Sequence, residues 1–267
     1  MPEGHTIHRL AIDLTKAFAS ATVRVSSPQG RFTSTELLDG SAFTTAHAIG
    51  KHLFLDFDRG RVHIHLGLFG KFKRQVNLTE VTRSSVRLRI ETAILRWDLT
   101  GPTACELIDA EAYAALDARL GADPLSPLPR PARTWLTVKK SKRSIGALLL
   151  DQSVFAGIGN VYRAELLFLI GINPETPGTA LDKATFEKLW LLSRKLLAIG
   201  VQTNRIITVQ SSTVATKLKA GRNVNRREAL YVYKRSQCRI CEGAIETSTN
   251  ATRTMYHCPR CQPASRT

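Results

Sequence analysis

Four cysteines near the end of the chain, Cys238, Cys241, Cys258 and Cys261, follow the spacing Cys-x2-Cys-x16-Cys-x2-Cys. Two such knuckles bring four thiolates to one tetrahedral Zn²⁺, and a site closed by four sulfurs is structural rather than catalytic. The fifth cysteine, Cys105, lies outside the pattern in a predicted strand and reads as inert core. A second candidate is the start, Met1-Pro2-Glu3-Gly4. A small second residue favours removal of the initiator. Pro2 would then carry a secondary amine with a pKa of about 8, against about 10.4 for lysine. Partly neutral at pH 7, such an amine is able to attack an aldehyde-like sugar carbon and form an iminium, with Glu3 beside it as a general acid. The third candidate is Gly157-Ile158-Gly159-Asn160. Its glycines permit a tight turn, Asn160 is placed to cap a helix starting at Val161, and the free amides of a helix start suit a phosphate.

These groups must be held by a chain of 267 residues in which Lys and Arg outnumber Asp and Glu by 16. The excess is uneven: residues 1–132 carry a net +2 and residues 133–267 a net +14. A cationic half of this kind predicts contact with a polyanion, nucleic acid first among them. At 43% hydrophobic residues the chain buries real cores, which excludes wholesale disorder. No apolar run approaches the roughly 18 residues that span a bilayer, so no membrane partner is expected. The start lacks the build of a signal peptide, and five cysteines make no disulfide framework; a reducing cytoplasm is the expected location.

Ile7, Leu10, Ala11, Leu14 and Phe18 fall on one helical face. Alternating segments follow at 52–57, 62–66 and 86–90, the first two separated by Asp58-Arg59-Gly60. The fold class expected is multidomain α+β, with an N-terminal β-sandwich opened by a helix over residues 1–119. A proline-dense stretch makes residues 120–133 a linker without regular structure. Helices are predicted at 144–151, 161–169 and 184–199, within a helical domain at 134–228. Residues 208–227, polar, β-branched and basic, read as a mobile loop. Residues 229–267 form the cysteine module, a zinc-finger hairpin.

The order of these features, Met1-Pro2-Glu3-Gly4, a β-rich first half, a helix–two-turn–helix element with Gly-x-Gly-Asn and a four-cysteine end, resembles the formamidopyrimidine-DNA glycosylase/endonuclease VIII family over nearly the whole length. Residues 151–160, Asp-Gln-Ser-Val-Phe-Ala-Gly-Ile-Gly-Asn, look especially like the endonuclease VIII branch. The resemblance implies a bifunctional DNA glycosylase and abasic-site lyase of base-excision repair, bound to damaged DNA. In it Pro2 is the nucleophile, forming a Schiff base, and Glu3 protonates the sugar and helps expel the base. Lys51, in its Gly-Lys context, contacts lesion phosphates and assists β-elimination. Arg253, five residues before Cys258, grips phosphate from the hairpin and assists δ-elimination. Asn160 holds a phosphate by side chain and backbone, and Arg119 is a further phosphate contact. Leu68 and Phe69, in His65-Leu66-Gly67-Leu68-Phe69-Gly70, are candidates to fill the space left by a flipped base. Structural zinc is the cofactor, with no organic one. A monomer is expected, nucleoid-associated if the source is bacterial.

Departures from the family pattern matter too. Residues 98–103, Asp-Leu-Thr-Gly-Pro-Thr, lack the Arg-Phe pair of the purine-specific branch, which favours oxidised pyrimidines as substrates. Thr6 replaces a usual acidic residue, between His5 and His8. His63 and His65 share a strand face, with no carboxylate expected to complete a metal site there. Residues 204–219 are expected to close over the flipped base. The alternative from another class is a non-catalytic DNA- or RNA-binding protein built on the same helical and zinc modules; it would have no need of Pro2, Glu3 or Lys51.

Overall fold

The apolar face of Ile7, Leu10, Ala11, Leu14 and Phe18 is the buried side of helix α1 (Gly4–Phe18) in the computed structural model, which describes residues 2–75, 84–222, 224–250 and 252–264. The chain divides into two compact units, Met1–Arg119 and Leu120–Thr267.

In the first unit α1 leads to β1 (Thr22–Ser26), a single helical turn α2 (Thr35–Leu38), and strands β2 (Ser41–Ile49), β3 (His52–Phe57), β4 (Gly60–His65) and β5 (Lys71–Gln75). Strands β6 (Val86–Glu91), β7 (Arg96–Thr100) and β8 (Ala104–Leu107) follow, and α3 (Ala110–Arg119) closes the unit. The strands hydrogen-bond in the order β5-β7-β6-β1-β2-β3-β4-β8, all antiparallel. One core takes Val25, Leu88, Ile90 and Leu99 from one half of this order and Phe43, Leu53, Leu55 and Ile64 from the other. The two halves therefore pack face to face as a sandwich, with the apolar side of α1 in the same core. The three alternating segments are β3, β4 and β6.

Helix α3 has a weak apolar face, with Leu116 as its buried residue, and periodicity does not announce it. It is held by Tyr113, whose ring meets Phe54 edge-on at 4.9 Å, lies 4.2 Å under the Arg61 guanidinium and bonds the His47 ring through its hydroxyl at 3.1 Å. That docking brings Arg119, the last residue of α3, near enough for its charge to act on His52 in β3.

The second unit contains α4 (Pro131–Val138), α5 (Ile145–Leu150), α6 (Asn160–Leu169), α7 (Lys183–Thr203), α8 (Ser212–Lys219), α9 (Arg226–Ala229) and the hairpin β9 (Glu246–Asn250) with β10 (Arg253–His257). Two expectations need correction. The stretch 120–133 is not wholly irregular, because α4 starts at Pro131, where the missing N–H costs nothing. Residues 208–227 are not simply a loop. The Ser211 side chain caps α8, Asn225 and Glu228 form a capping box on α9, and Thr208, Val209 and Val214 are buried. Short polar helices with one or two buried residues carry too little periodicity to be read. One core runs from Val138 and Leu148 through Tyr162 and Leu196 to Cys238, Met255 and Cys258. We therefore propose the linker (120–133), helical domain (134–228) and cysteine module (229–267) as functional subdivisions of this one unit. Among the described residues, no helix is long and apolar enough to cross a membrane.

Candidate functional site

In the first unit the start of the chain is set by α1. Glu3 takes its N-cap position in extended conformation and is fully buried, yet its side chain makes no capping bond to the helix. His5, one turn on, is buried, and Thr6 Oγ1 lies 3.2 Å from its Nε2. Burial, helped by neighbouring positive charge, pushes the His5 imidazole down to about 4, so it is neutral at pH 7. The residue in place of the family's acidic side chain is thus paired with an uncharged ring.

Lys51 follows Gly50 in the two-residue turn joining β2 and β3, where Ile49 pairs with His52. Gly50 has φ 58°, in the first turn position, where a tight hairpin requires positive φ. The turn thereby presents Lys51 beside a histidine cluster. His52 Nδ1 and His63 Nε2 share a hydrogen bond of 2.9 Å, and His63 Nδ1 lies 3.0 Å from Glu106 Oε1 on β8. The His65 ring lies 4.9 Å from that of His52, and its Nδ1 is 2.7 Å from Thr103 Oγ1. Burial first, then the charges of His65, His63, Arg119 and Lys51, drive His52 down to about 3. The fold thus brings Lys51 and Arg119, far apart in sequence, to act on one ring. A carboxylate does lie beside these histidines, because β8 pairs with β4 and sets Glu106 opposite His63. Even so, the cluster of metal-ligating atoms among the described residues is the cysteine one.

Leu68 and Phe69 sit in a turn between β4 and β5, closed by a bond from Gly70 N to Leu66 O of 2.9 Å. They are 46% and 82% exposed, so they are not strand-end core. Cys105, by contrast, is buried in β8 with its thiol pushed up to about 12, as inert core should be.

In the second unit the Gly157-Ile158-Gly159-Asn160 turn separates α5 from α6. Gly157 has φ 94°, a conformation open to glycine, and its N–H donates to Gln152 Oε1 at 3.0 Å. Gln152 Nε2 in turn donates to Leu150 O at 2.8 Å and Ile158 O at 3.0 Å, so this side chain, unremarkable in sequence, pins both turns. Asn160 is not the cap. Extended Gly159 takes that position and Asn160 is the first helical residue. Its side chain is drawn aside instead: Nδ2 donates to Thr254 O at 3.0 Å, and Oδ1 accepts from Arg163 at 2.6 Å. Arg253 opens β10, exposed, in register with Asn250.

The four cysteines converge as their spacing predicts. Sγ atoms of Cys238 and Cys261 are 3.8 Å apart, those of Cys241 and Cys258 are 3.4 Å apart, and all four lie within 4.8 Å of one another. Sulfurs about 2.3 Å from a tetrahedral zinc stand about 3.8 Å from each other, so the cluster fits that ion. Gln262 seats the second knuckle on the helices, accepting from Cys258 N at 3.0 Å and donating to Ile172 O at 2.8 Å. Glu165, fully buried on α6, accepts from Thr208 Oγ1 and from the backbone N–H groups of Tyr231, Val232 and Tyr233, the chain leading into the module. Burial pushes its carboxyl up, opposed by those donors. Neither Gln262 nor Glu165 carries a motif that would reveal it.

Comparison with known proteins places this geometry. The sequence profile of the formamidopyrimidine-DNA glycosylase N-terminal domain matches residues 1–110, and that of the formamidopyrimidine-DNA glycosylase H2TH domain matches residues 120–212. The chain is 42% identical over 270 residues to endonuclease 8 1 of Mycobacterium tuberculosis, covering 98% of this chain and 100% of the relative. It is 32% identical over 275 residues to the DNA-(apurinic or apyrimidinic site) lyase Nei2 of Mycolicibacterium smegmatis, covering 99% and 100%. Its fold matches Lactococcus lactis Fpg, solved with DNA containing N7-benzyl-Fapy-dG, at a TM-score of 0.79 and 21% identity, covering 98% of this chain and 100% of that one.

Proposed function

This chain belongs to the formamidopyrimidine-DNA glycosylase/endonuclease VIII family, and from that membership we infer that it is a base-excision-repair DNA glycosylase with abasic-site lyase activity. The observation that carries the reading is the start of the chain: Pro2 adjoins a Glu3 that is fully buried at the N-cap of α1, and a buried carboxyl beside the terminal proline has no use in mere binding. For this reason the non-catalytic alternative is not favoured.

After removal of the initiator, the Pro2 nitrogen uses its lone pair to attack C1′ of the damaged nucleotide. The glycosidic C–N bond breaks and its electron pair leaves with the base, which takes up a proton. Glu3 gives a proton to the sugar ring oxygen, the ring opens, and the nitrogen, having lost its own proton, becomes an iminium. The iminium acidifies C2′; loss of that proton expels the 3′ phosphate, and subsequent loss of the C4′ proton expels the 5′ phosphate. Water then hydrolyses the iminium and restores the amine. The leaving phosphates need positive partners. We assign Lys51 and Arg119 in the first unit, and Arg253 with Asn160 in the second, to the DNA backbone. Leu68 or Phe69 fills the gap in the stack. Bound zinc would stiffen the hairpin that presents Arg253; the cysteines hold it and take no part in the chemistry.

Oxidised pyrimidines are the proposed lesions. Residues 101–103 between β7 and β8 offer neither an arginine nor an aromatic side chain to read a purine. The segment proposed to close over the flipped base narrows from 204–219 to the part beyond Val209, because Ile207, Thr208 and Val209 are buried. A monomer in the cytoplasm is the simplest form of such an enzyme. Incubation with abasic DNA and borohydride tests the reading. A covalent adduct is expected, absent from Pro2→Gly; no adduct with the processed enzyme would refute it.

A further inference from the structure

Arg163 is the largest fully buried side chain among the described residues, and its guanidinium lies between the two elements assigned to the DNA backbone in the second unit. One nitrogen, Nη1, donates to Gly146 O at 3.3 Å on α5 and to Asn250 O and Oδ1, both at 3.1 Å, at the end of β9. The other, Nη2, donates to Asn160 Oδ1 at 2.6 Å in the first turn of α6 and reaches Arg253 O at 3.5 Å and Thr254 O at 3.4 Å at the start of β10. Asn250 extends the hub: its Nδ2 donates to Ser144 Oγ at 3.0 Å and to Glu175 Oε1 at 2.8 Å. Close approach depends on Gly146, where a Cβ would stand 2.9 Å from Pro174 O and 3.4 Å from Asn250 Oδ1.

A buried guanidinium costs several kcal/mol of desolvation, recovered only where its fork is well bonded. Hydrophobic packing of the same volume would hold α6 to the hairpin without that cost. What packing would not do is fix the rotation of the Asn160 amide and the strand ends together. With Oδ1 held by Arg163, the Asn160 amide is oriented, and the carbonyl of Arg253 is tied to the same cation. We infer that Arg163 is a positioning residue: it locks Asn160 and Arg253 into one arrangement so that both engage the DNA backbone together. This rests on the assignment of Asn160 and Arg253 to that backbone.

The test is a mutant cycle in the full-length, zinc-loaded enzyme. Binding is measured on a duplex carrying a tetrahydrofuran abasic analogue, and products on a duplex with one abasic site. Arg163→Met is expected to lower the ratio of δ- to β-elimination product roughly tenfold or more, as misplacement of a distant group does. Borohydride trapping through Pro2 persists. The magnitude of the slope of log affinity against log salt falls by about one, since loss of the Arg253 phosphate contact removes about 0.9. In an Asn160→Ala, Arg253→Ala background the same substitution has no further effect on affinity. Arg163→Lys keeps the charge but not the fork, and it loses the product ratio as well. Should Arg163→Met fail to fold, Asn250→Ala cuts the hairpin side of the hub and is read by the same two measurements. A folded Arg163→Met, Arg163→Lys or Asn250→Ala with the wild-type ratio and slope would overturn the inference, as would equal affinity losses in both backgrounds. If Asn160→Ala and Arg253→Ala themselves change nothing, the backbone assignment fails instead.

Discussion

Glu3 is fully buried at the start of α1, next to Pro2, and is the proposed general acid for a sugar bound there. General acid help contributes about 100-fold or more. Glu3→Gln is therefore expected to slow release of an oxidised pyrimidine about 100-fold and to spare cleavage of preformed abasic sites; equal losses in the two assays would remove Glu3 from base expulsion. The histidines make a second prediction at this scale. His5 and His52 are neutral when folded, at about 4 and about 3, against 6.5 when unfolded. The unfolded chain takes up the extra protons first, so stability is full above pH 6.5 and falls below it, by about 1.4 kcal/mol per pH unit for each histidine until its folded value is reached. Thermal unfolding is expected at a lower temperature at pH 5 than at pH 7.5, and His52→Asn should shrink that difference.

At the scale of elements, the hairpin β9–β10 depends on two supports, the cysteine cluster and the hub around α6. Chelation of zinc is expected to abolish binding to the abasic-analogue duplex, with recovery on adding Zn²⁺ back, because the metal supplies folding energy to the loop that bears Arg253. Retained affinity in demonstrably metal-free protein would dissociate the hairpin from DNA contact. Glu165 ties α6 to residues 231–233 ahead of the first knuckle. Glu165→Gln turns an amide donor toward backbone donors, so a loss of about 1–3 kcal/mol is expected in urea unfolding. The helices that the sequence pattern announced, α1, α5, α6 and α7, are those that bury several apolar residues each. Helices α3, α8 and α9 escaped because single contacts hold them, Tyr113 on the sheet for α3, Val214 in the core for α8 and a capping box for α9.

Across the whole molecule, the second half carries a net +14. Three proposed backbone cations, Lys51, Arg119 and Arg253, predict that log affinity for duplex DNA falls with log salt with a slope of about −3 or steeper. A slope near zero would mean that these charges serve solubility alone.

Linear order by itself determined the chemistry-bearing groups whose partners are near in sequence or set by spacing: the proline-glutamate start, the glycine turn, the two knuckles and the charge imbalance. Tertiary structure alone decided which of them act together. The neutral state of His52 depends on burial and on Lys51 and Arg119, and the orientation of Asn160 depends on a buried arginine and a strand about 90 residues away. Motifs record local geometry, whereas burial and the pairing of charges are properties of the assembled core, and no spacing rule encodes them.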